Sequence, residues 1–255
     1  MTPQDRAASA RKVPEVTLMF WIIKILTTGM GETTSDYFVR AIDPKVAVGL
    51  GGLGLLVSLV LQLRVTRYVP WVYWLAVVMV SVFGTMAADV IHVALGVPYI
   101  VSTTVFAASL AVIFLLWRRV EGTLSIHSIR TRRRELFYWA TVLATFALGT
   151  AAGDMTAHSM GLGFFASGVM FAVIFALPVI GWVQFGLNEV FAFWFAYVVT
   201  RPLGASFADW MGVPVDRSGL GLGTGKVSLV LALMIVACVI AISVRPAPKA
   251  ATAPR

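Results

Sequence analysis

A Trp, a Gly and an Asp recur four times in this chain at fixed offsets, and that repeat constrains the fold more than any other feature. Each copy opens with an aromatic residue and a Trp, then reaches a Gly, a small residue and an Asp. The copies are Phe20, Trp21, Gly31, Ser35, Asp36; Tyr73, Trp74, Gly84, Ala88, Asp89; Tyr138, Trp139, Gly149, Gly153, Asp154; and Phe193, Trp194, Gly204, Ala208, Asp209. Trp precedes Asp by 15 positions, Gly by 5 and the small residue by 1 in every copy. A chain that repeats itself in this way is built from one supersecondary unit used four times.

Composition places the unit in a membrane. The 255 residues are 59% hydrophobic and 13% charged, with mean hydropathy +0.87. Several apolar stretches reach the roughly 20 residues a helix needs to cross a ~30 Å hydrocarbon core. The net charge of +8 lies mostly between these stretches, where membrane topology accounts for it, so nucleic acid is not expected as a partner. The one cysteine, Cys238, allows no intrachain disulfide and reads as a packing residue. The polar, basic N-terminus meets its apolar run without a small-x-small cleavage signature, so a cleavable signal is not expected.

The expected architecture is an all-α membrane protein with eight transmembrane helices arranged as four parallel two-helix repeats. Its parts are an N-terminal tail at 1–12, repeats one and two at 13–117, a basic linker at 118–135, repeats three and four at 136–244, and a C-terminal tail at 245–255. With both termini cytoplasmic, the inner segments hold fourteen Lys and Arg: Arg6, Arg11, Lys12, Arg64, Arg67, Arg118, Arg119, Arg130, Arg132, Arg133, Arg134, Arg245, Lys249 and Arg255. The outer loops hold four, Arg40, Lys45, Arg217 and Lys226, and this excess sets the orientation. The linker arginines also suit contact with anionic lipid. Repeats with an even number of spans point the same way, so the odd helices are expected to form an inner ring and the even helices to face lipid.

Each part of the repeat has a physical reading. The aromatic pair is expected at the cytoplasmic interface, where amphipathic rings settle. Fifteen helical residues rise ~22 Å, which puts all four Asp at one depth in the outer half of the membrane. The Gly and small residue form a small-xxx-small pair that lets helices approach closely. An Asp near mid-membrane costs about 2.5–3.5 kcal/mol on insertion scales, so four demand a wet cavity, a cation or protons.

Around these acids the copies diverge. Glu32 lies four before Asp36, His92 three after Asp89 and His158 four after Asp154. Carboxylate and imidazole pairs at helical spacing can hold a divalent cation or exchange protons. The candidate cation- and proton-binding set is therefore Asp36, Asp89, Asp154, Asp209, Glu32, His92 and His158. Glu32, Asp36, Asp89, His92, Asp154 and His158 are the candidate metal ligands among them. Lys24 is expected to snorkel to the headgroups or to neutralise one of the acids. Arg201, two turns before Asp209, is expected to pair with Asp209 or Glu189. Asn188 and Glu189 read as the entry to the seventh helix.

Two motifs carry no nucleotide chemistry. Gly49, Gly51 and Gly54 match G-x-G-x-x-G, but they lie in an apolar span and open no βαβ unit, so they read as helix packing. The run from Gly219 to Lys226, GLGLGTGK, lacks the phosphate-loop spacing and the following Ser or Thr, and reads as a flexible lip to the last helix.

The fourfold W…G…D repeat, the central EGTLSIHSI-x-TRRRE and the FALGTAAGD of the fifth helix resemble the bacterial "membrane-anchored" family of integral membrane proteins built from four tandem two-helix repeats. The resemblance covers about Val13 to Val244 and implies a bacterial inner-membrane protein with eight helices; no catalytic residues follow from it. The function expected from the residues is a proton-coupled secondary transporter or exporter of a small cation, with a divalent metal among the candidates. No enzyme activity and no cofactor other than a bound metal ion are expected, and the partners are lipid, protons and the cation. The alternatives are a structural or partner-stabilising membrane protein, and a redox protein with haem ligated between His92 and His158.

Overall fold

The structure is a computed structural model that describes residues 11–244. The C-terminal tail at 245–255 lies outside the described residues, as does all of the N-terminal tail except Arg11 and Lys12. Among the described residues there are eight long helices: α1 (Leu18–Ala41), α2 (Pro44–Arg64), α3 (Pro70–Asp89), α4 (Tyr99–Glu121), α5 (Arg132–Asp154), α6 (Gly163–Phe185), α7 (Glu189–Gly212) and α8 (Thr224–Val244). Seven of them are long and apolar enough to cross a membrane. The exception is α1, whose Lys24, Glu32, Asp36 and Arg40 dilute its apolar content.

Local chemistry sets the helix ends. Thr17 caps α1 through its hydroxyl, so Val13 to Val16, expected in the first helix, stay outside it. Asp43 caps α2 by accepting from Lys45 and Val46, with Pro44 at the first helical position, where its missing N–H costs nothing. Asn188 caps α7 through Phe191. The linker at 118–135 is shorter than expected. α4 runs on to Glu121 and stops at Gly122, whose φ of 73° suits a residue without Cβ, and α5 begins at Arg132. Glu121 then ties the two helices together through Arg133 and Arg134.

The odd helices close a ring in the order α1, α3, α5, α7 and back to α1. Each even helix packs chiefly on the odd helix of the next repeat: α2 on α3, α4 on α5, α6 on α7, and α8 on α1. The last repeat thus completes the first. Burial follows this division. Between 56% and 67% of the most apolar window is buried in α3, α5 and α7, against 17–28% in α2, α4, α6 and α8. The glycines of the discarded G-x-G-x-x-G motif serve this packing: a Cβ at Gly51 or Gly54 would lie 2.8 Å from Met86 Sδ or 2.4 Å from Met79 Cε.

The repeat glycines close the ring. A Cβ on Gly31 would lie 1.8 Å from Ser81 Oγ, on Gly84 2.9 Å from Phe146 Cβ, on Gly149 2.3 Å from Arg201 Cγ, and on Gly204 1.9 Å from Thr28 Oγ1. Each glycine, five before its Asp, receives the side chain eight before the Asp of the next repeat, and repeat four receives repeat one. At two interfaces the seated hydroxyl also donates to a backbone carbonyl of the helix it crosses, Ser81 to Thr27 O (2.9 Å) and Thr28 to Thr200 O (3.1 Å).

The aromatic pairs do not sit at an interface with lipid. Tyr73, Trp74, Tyr138, Trp139, Phe193, Trp194 and Phe20 are buried between the ring helices, and only Trp21 is half-buried. They lie 15 and 16 residues before the aspartates, about four helical turns along the same ring helices. The result is a continuous aromatic layer: Phe20 against Trp74 and Phe193, Tyr73 against Trp139 and Tyr138, and Tyr138 against Trp194. The Tyr73 and Tyr138 hydroxyls are hydrogen-bonded to each other.

The segment before α1 crosses this end of the ring. Lys12 Nζ donates to Glu135 Oε2 at 2.5 Å with both side chains buried, and Gln62 Nε2 donates to Glu135 Oε1 at 2.9 Å. The backbone joins in through Tyr68 N to Arg11 O (2.8 Å), and Val13 is buried beneath.

Candidate functional site

The inward stripe of the ring is built in layers of four. From the aspartate end these are Asp36, Asp89, Asp154 and Asp209; then Glu32, Thr85, Thr150 and Ala205; then Thr28, Ser81, Phe146 and Arg201; then Lys24, Val77, Val142 and Tyr197; and last the aromatic layer. One member of each layer comes from each repeat.

The second and third layers hold a buried polar knot to which all four repeats contribute. Arg201 is fully buried; its Nη1 donates to Thr28 O (3.1 Å) and its Nη2 to Glu32 Oε2 (2.5 Å), Thr150 Oγ1 (2.8 Å) and Thr85 Oγ1. Thr85 also donates to Glu32 Oε2 at 3.4 Å. Arg201 therefore does not pair with Asp209 or Glu189, as the sequence suggests. Asp209 lies eight residues along the same helix, ~12 Å away by helical rise, whereas Glu32 faces Arg201 across the α1–α7 contact. Glu189 instead faces His127 at 3.6 Å, at the rim of the opposite end.

Lys24 neither snorkels nor meets an acid. It is 1% exposed, and its Nζ sits 4.0 Å from the centroid of Phe146 and 4.2 Å from that of Tyr197, with no hydrogen-bond partner among the described residues. A desolvated cation–π contact is worth about 2 kcal/mol or more, less than the several kcal/mol that burying an ion costs.

The four aspartates fall into two kinds. Asp36 accepts from Arg40 Nη2 at 2.6 Å, an i,i+4 pair partly open to solvent. Asp89, Asp154 and Asp209 make neither a hydrogen bond nor an ion pair among the described residues, and their oxygens are not sealed in. The Glu32 carboxylate is within Coulombic reach of all four, Asp154 within reach of Asp89 and Asp209, and the Arg201 guanidinium within reach of Asp89, Asp154 and Asp209. The acids that the sequence places at one depth are thus gathered at one end of one ring, above the Arg201 knot.

The histidines lie beside this ring. α3 and α5 continue past Asp89 and Asp154 as single π-helical turns, Val90–Ala94 and Met155–Ser159, which the sequence does not signal. Wide turns of this kind recur at functional sites. His92 is buried, with Nδ1 3.2 Å from Val97 O, while His158 is exposed. Tyr99 stands between them, its ring 4.3 Å from His92 and 6.1 Å from His158 by centroid. Among the described residues no three His, Cys, Asp or Glu side chains form a group that could hold one metal ion. Glu32 belongs to Arg201, Asp36 to Arg40, and His92 to the loop backbone.

The loop after α7 closes over this end. Leu220 N donates to Trp210 O (2.7 Å) and Gly221 N to Val213 O (2.9 Å), so the glycine run expected as a flexible lip is pinned to the end of α7. It brings Arg217, which the sequence reading passed over as a loop charge, within Coulombic reach of Asp36, Tyr99 and His158.

Fold and site together define a multi-pass helical membrane protein made of four two-helix repeats. The chain belongs to the family described as Repeat of Unknown Function (DUF347), which matches residues 19–68, 72–123, 137–186 and 192–246. Comparison with curated proteins and with solved structures gives no match.

Proposed function

We propose that this chain is an eight-span carrier of the bacterial inner membrane, with both termini cytoplasmic, that moves a small cation in exchange for protons. Asp89, Asp154 and Asp209 are the binding carboxylates. The observation that carries this reading is their state: three acids at one register of a closed ring, with no hydrogen bond or ion pair among the described residues. Architecture alone needs the Arg201–Glu32 knot, but it does not need three further carboxylates at about 2.5–3.5 kcal/mol each. A cation or protons account for that cost.

A carrier fits better than a channel, because the axis below the aspartates is filled by Arg201, Phe146 and the aromatic layer. The test is proton movement in proteoliposomes loaded with a pH-sensitive dye and pulsed with Na+, K+, Mg2+, Mn2+ or alkylammonium salts. One cation class should drive saturable proton release. If every cation leaves the internal pH unchanged, the carboxylates are architectural and the structural reading takes the place of transport.

A further inference from the structure

The layer eight residues below Glu32 holds a second cation-binding arrangement, separate from the aspartates. Lys24 Nζ lies over two aromatic faces, Phe146 of α5 and Tyr197 of α7, at 4.0 and 4.2 Å from their centroids. An ammonium has three N–H donors, and among the described residues none of them meets an acceptor. Among the described residues the head meets these two π faces, with the Arg201 guanidinium as its neighbouring charge. Two faces from different helices set around one ammonium are the elements of an aromatic cage, the recurrent means of binding alkylammonium groups. Phe146 also lies 5.3 Å from the Arg201 guanidinium by its centroid, so its ring is close to two cations. The wall continues into aromatic residues, with Phe193 and Trp194 each 5.5 Å from Tyr197 by centroid.

We propose that Phe146 and Tyr197 form a binding site for a small alkylammonium ion, filled in this state by Lys24 as a tethered occupant. The statement that such an ion is also the carried substrate rests on the transport reading above; the site itself does not. A metal ion would need oxygen, nitrogen or sulfur ligands, whereas a cage of ring faces accepts an alkylammonium head and stem. Lys24 shows the fit, its stem in van der Waals surroundings and its head between the rings.

The experiment is chemical rescue of Lys24→Ala, which empties the cage of head and stem. In detergent-purified protein, Lys24→Ala should melt below the wild type, and n-propylammonium should restore the melting temperature while NaCl and MgCl2 at equal ionic strength do not. It should bind n-propylammonium on the order of tenfold more tightly than the wild type, where Lys24 competes. Adding Phe146→Leu should abolish the rescue. Lys24→Met, whose stem fills the cage without charge, should not respond to n-propylammonium. Equal response to all salts, no response to any, or rescue that survives Phe146→Leu would each overturn the site. If Lys24→Ala accumulates only when n-propylammonium is in the growth medium, the site is supported; if it fails to accumulate even then, the site is contradicted. Binding here is read without flux, so a failed rescue leaves the aspartate carrier standing, and a failed flux assay leaves the cage standing.

Discussion

Arg201→Met is expected to destabilise the protein by about 3–5 kcal/mol, the cost of leaving one member of a buried ion pair without its partner. Glu32 would be left without its cation at 6% side-chain exposure, with the 3.4 Å hydroxyl of Thr85 beside it. The loss would reach all four repeats, because Arg201 is the donor common to Thr28, Glu32, Thr85 and Thr150. Arg201→Lys should recover little, since an ammonium cannot reach several oxygens through one planar fork. Removing both charges in Arg201→Met/Glu32→Leu should restore most of the stability, because an apolar replacement of a buried pair is often neutral. Chemical unfolding of the purified variants checks this ordering. A double variant as unstable as Arg201→Met would show that packing, rather than the stranded carboxylate, sets the cost.

Gly149→Leu should have an effect at least as large. Even a Cβ there would stand 2.3 Å from Arg201 Cγ, 2.5 Å from its Cβ and 2.9 Å from Pro202 Cδ. Overpacking typically costs 1–3 kcal/mol, and displacing Arg201 adds the cost of the stranded Glu32. Gly149→Leu should therefore fail to accumulate in the membrane, and Gly149→Ala should be clearly destabilised. Gly153→Ala is the control. It belongs to the same small-xxx-small pair, yet its Cβ would find nothing nearer than Pro202 Cβ at 3.7 Å, ordinary van der Waals contact. Membrane abundance and melting temperature separate the two. Equal tolerance at both positions would place Gly149 outside the ring contact.

The contrast between Gly149 and Gly153 marks where reading the sequence stops. The four repeats, their common depth and the inward role of the odd helices follow from fixed offsets and helical rise. What the offsets do not carry is the neighbour. That Gly149 receives Arg201, and that Arg201 then reaches Glu32, depends on repeat four closing against repeat one across an α1–α7 contact 169 residues apart in sequence. The burial of the aromatic pairs is hidden from the sequence for a related reason. Periodicity identifies a face, but it does not say whether that face meets lipid or another helix, and here it met the ring. Asp36 is the opposite case. Its pairing with Arg40 is an i,i+4 contact that the sequence displays, obscured by counting Arg40 only as a loop charge. The π turns that carry His92 and His158 have no signal in composition or spacing.

The central claim is that Asp89, Asp154 and Asp209, unpartnered among the described residues, carry the cation and its protons. Its most direct test is cation-driven proton flux in proteoliposomes at matched protein density, for Asp36→Asn, Asp89→Asn, Asp154→Asn and Asp209→Asn made one at a time. Asn keeps the shape and hydrogen-bonding capacity and removes only the charge. Asp89→Asn, Asp154→Asn and Asp209→Asn should each abolish flux, and Asp36→Asn, whose carboxylate Arg40 already holds, should retain most of it. Wild-type flux in the first three would contradict the account.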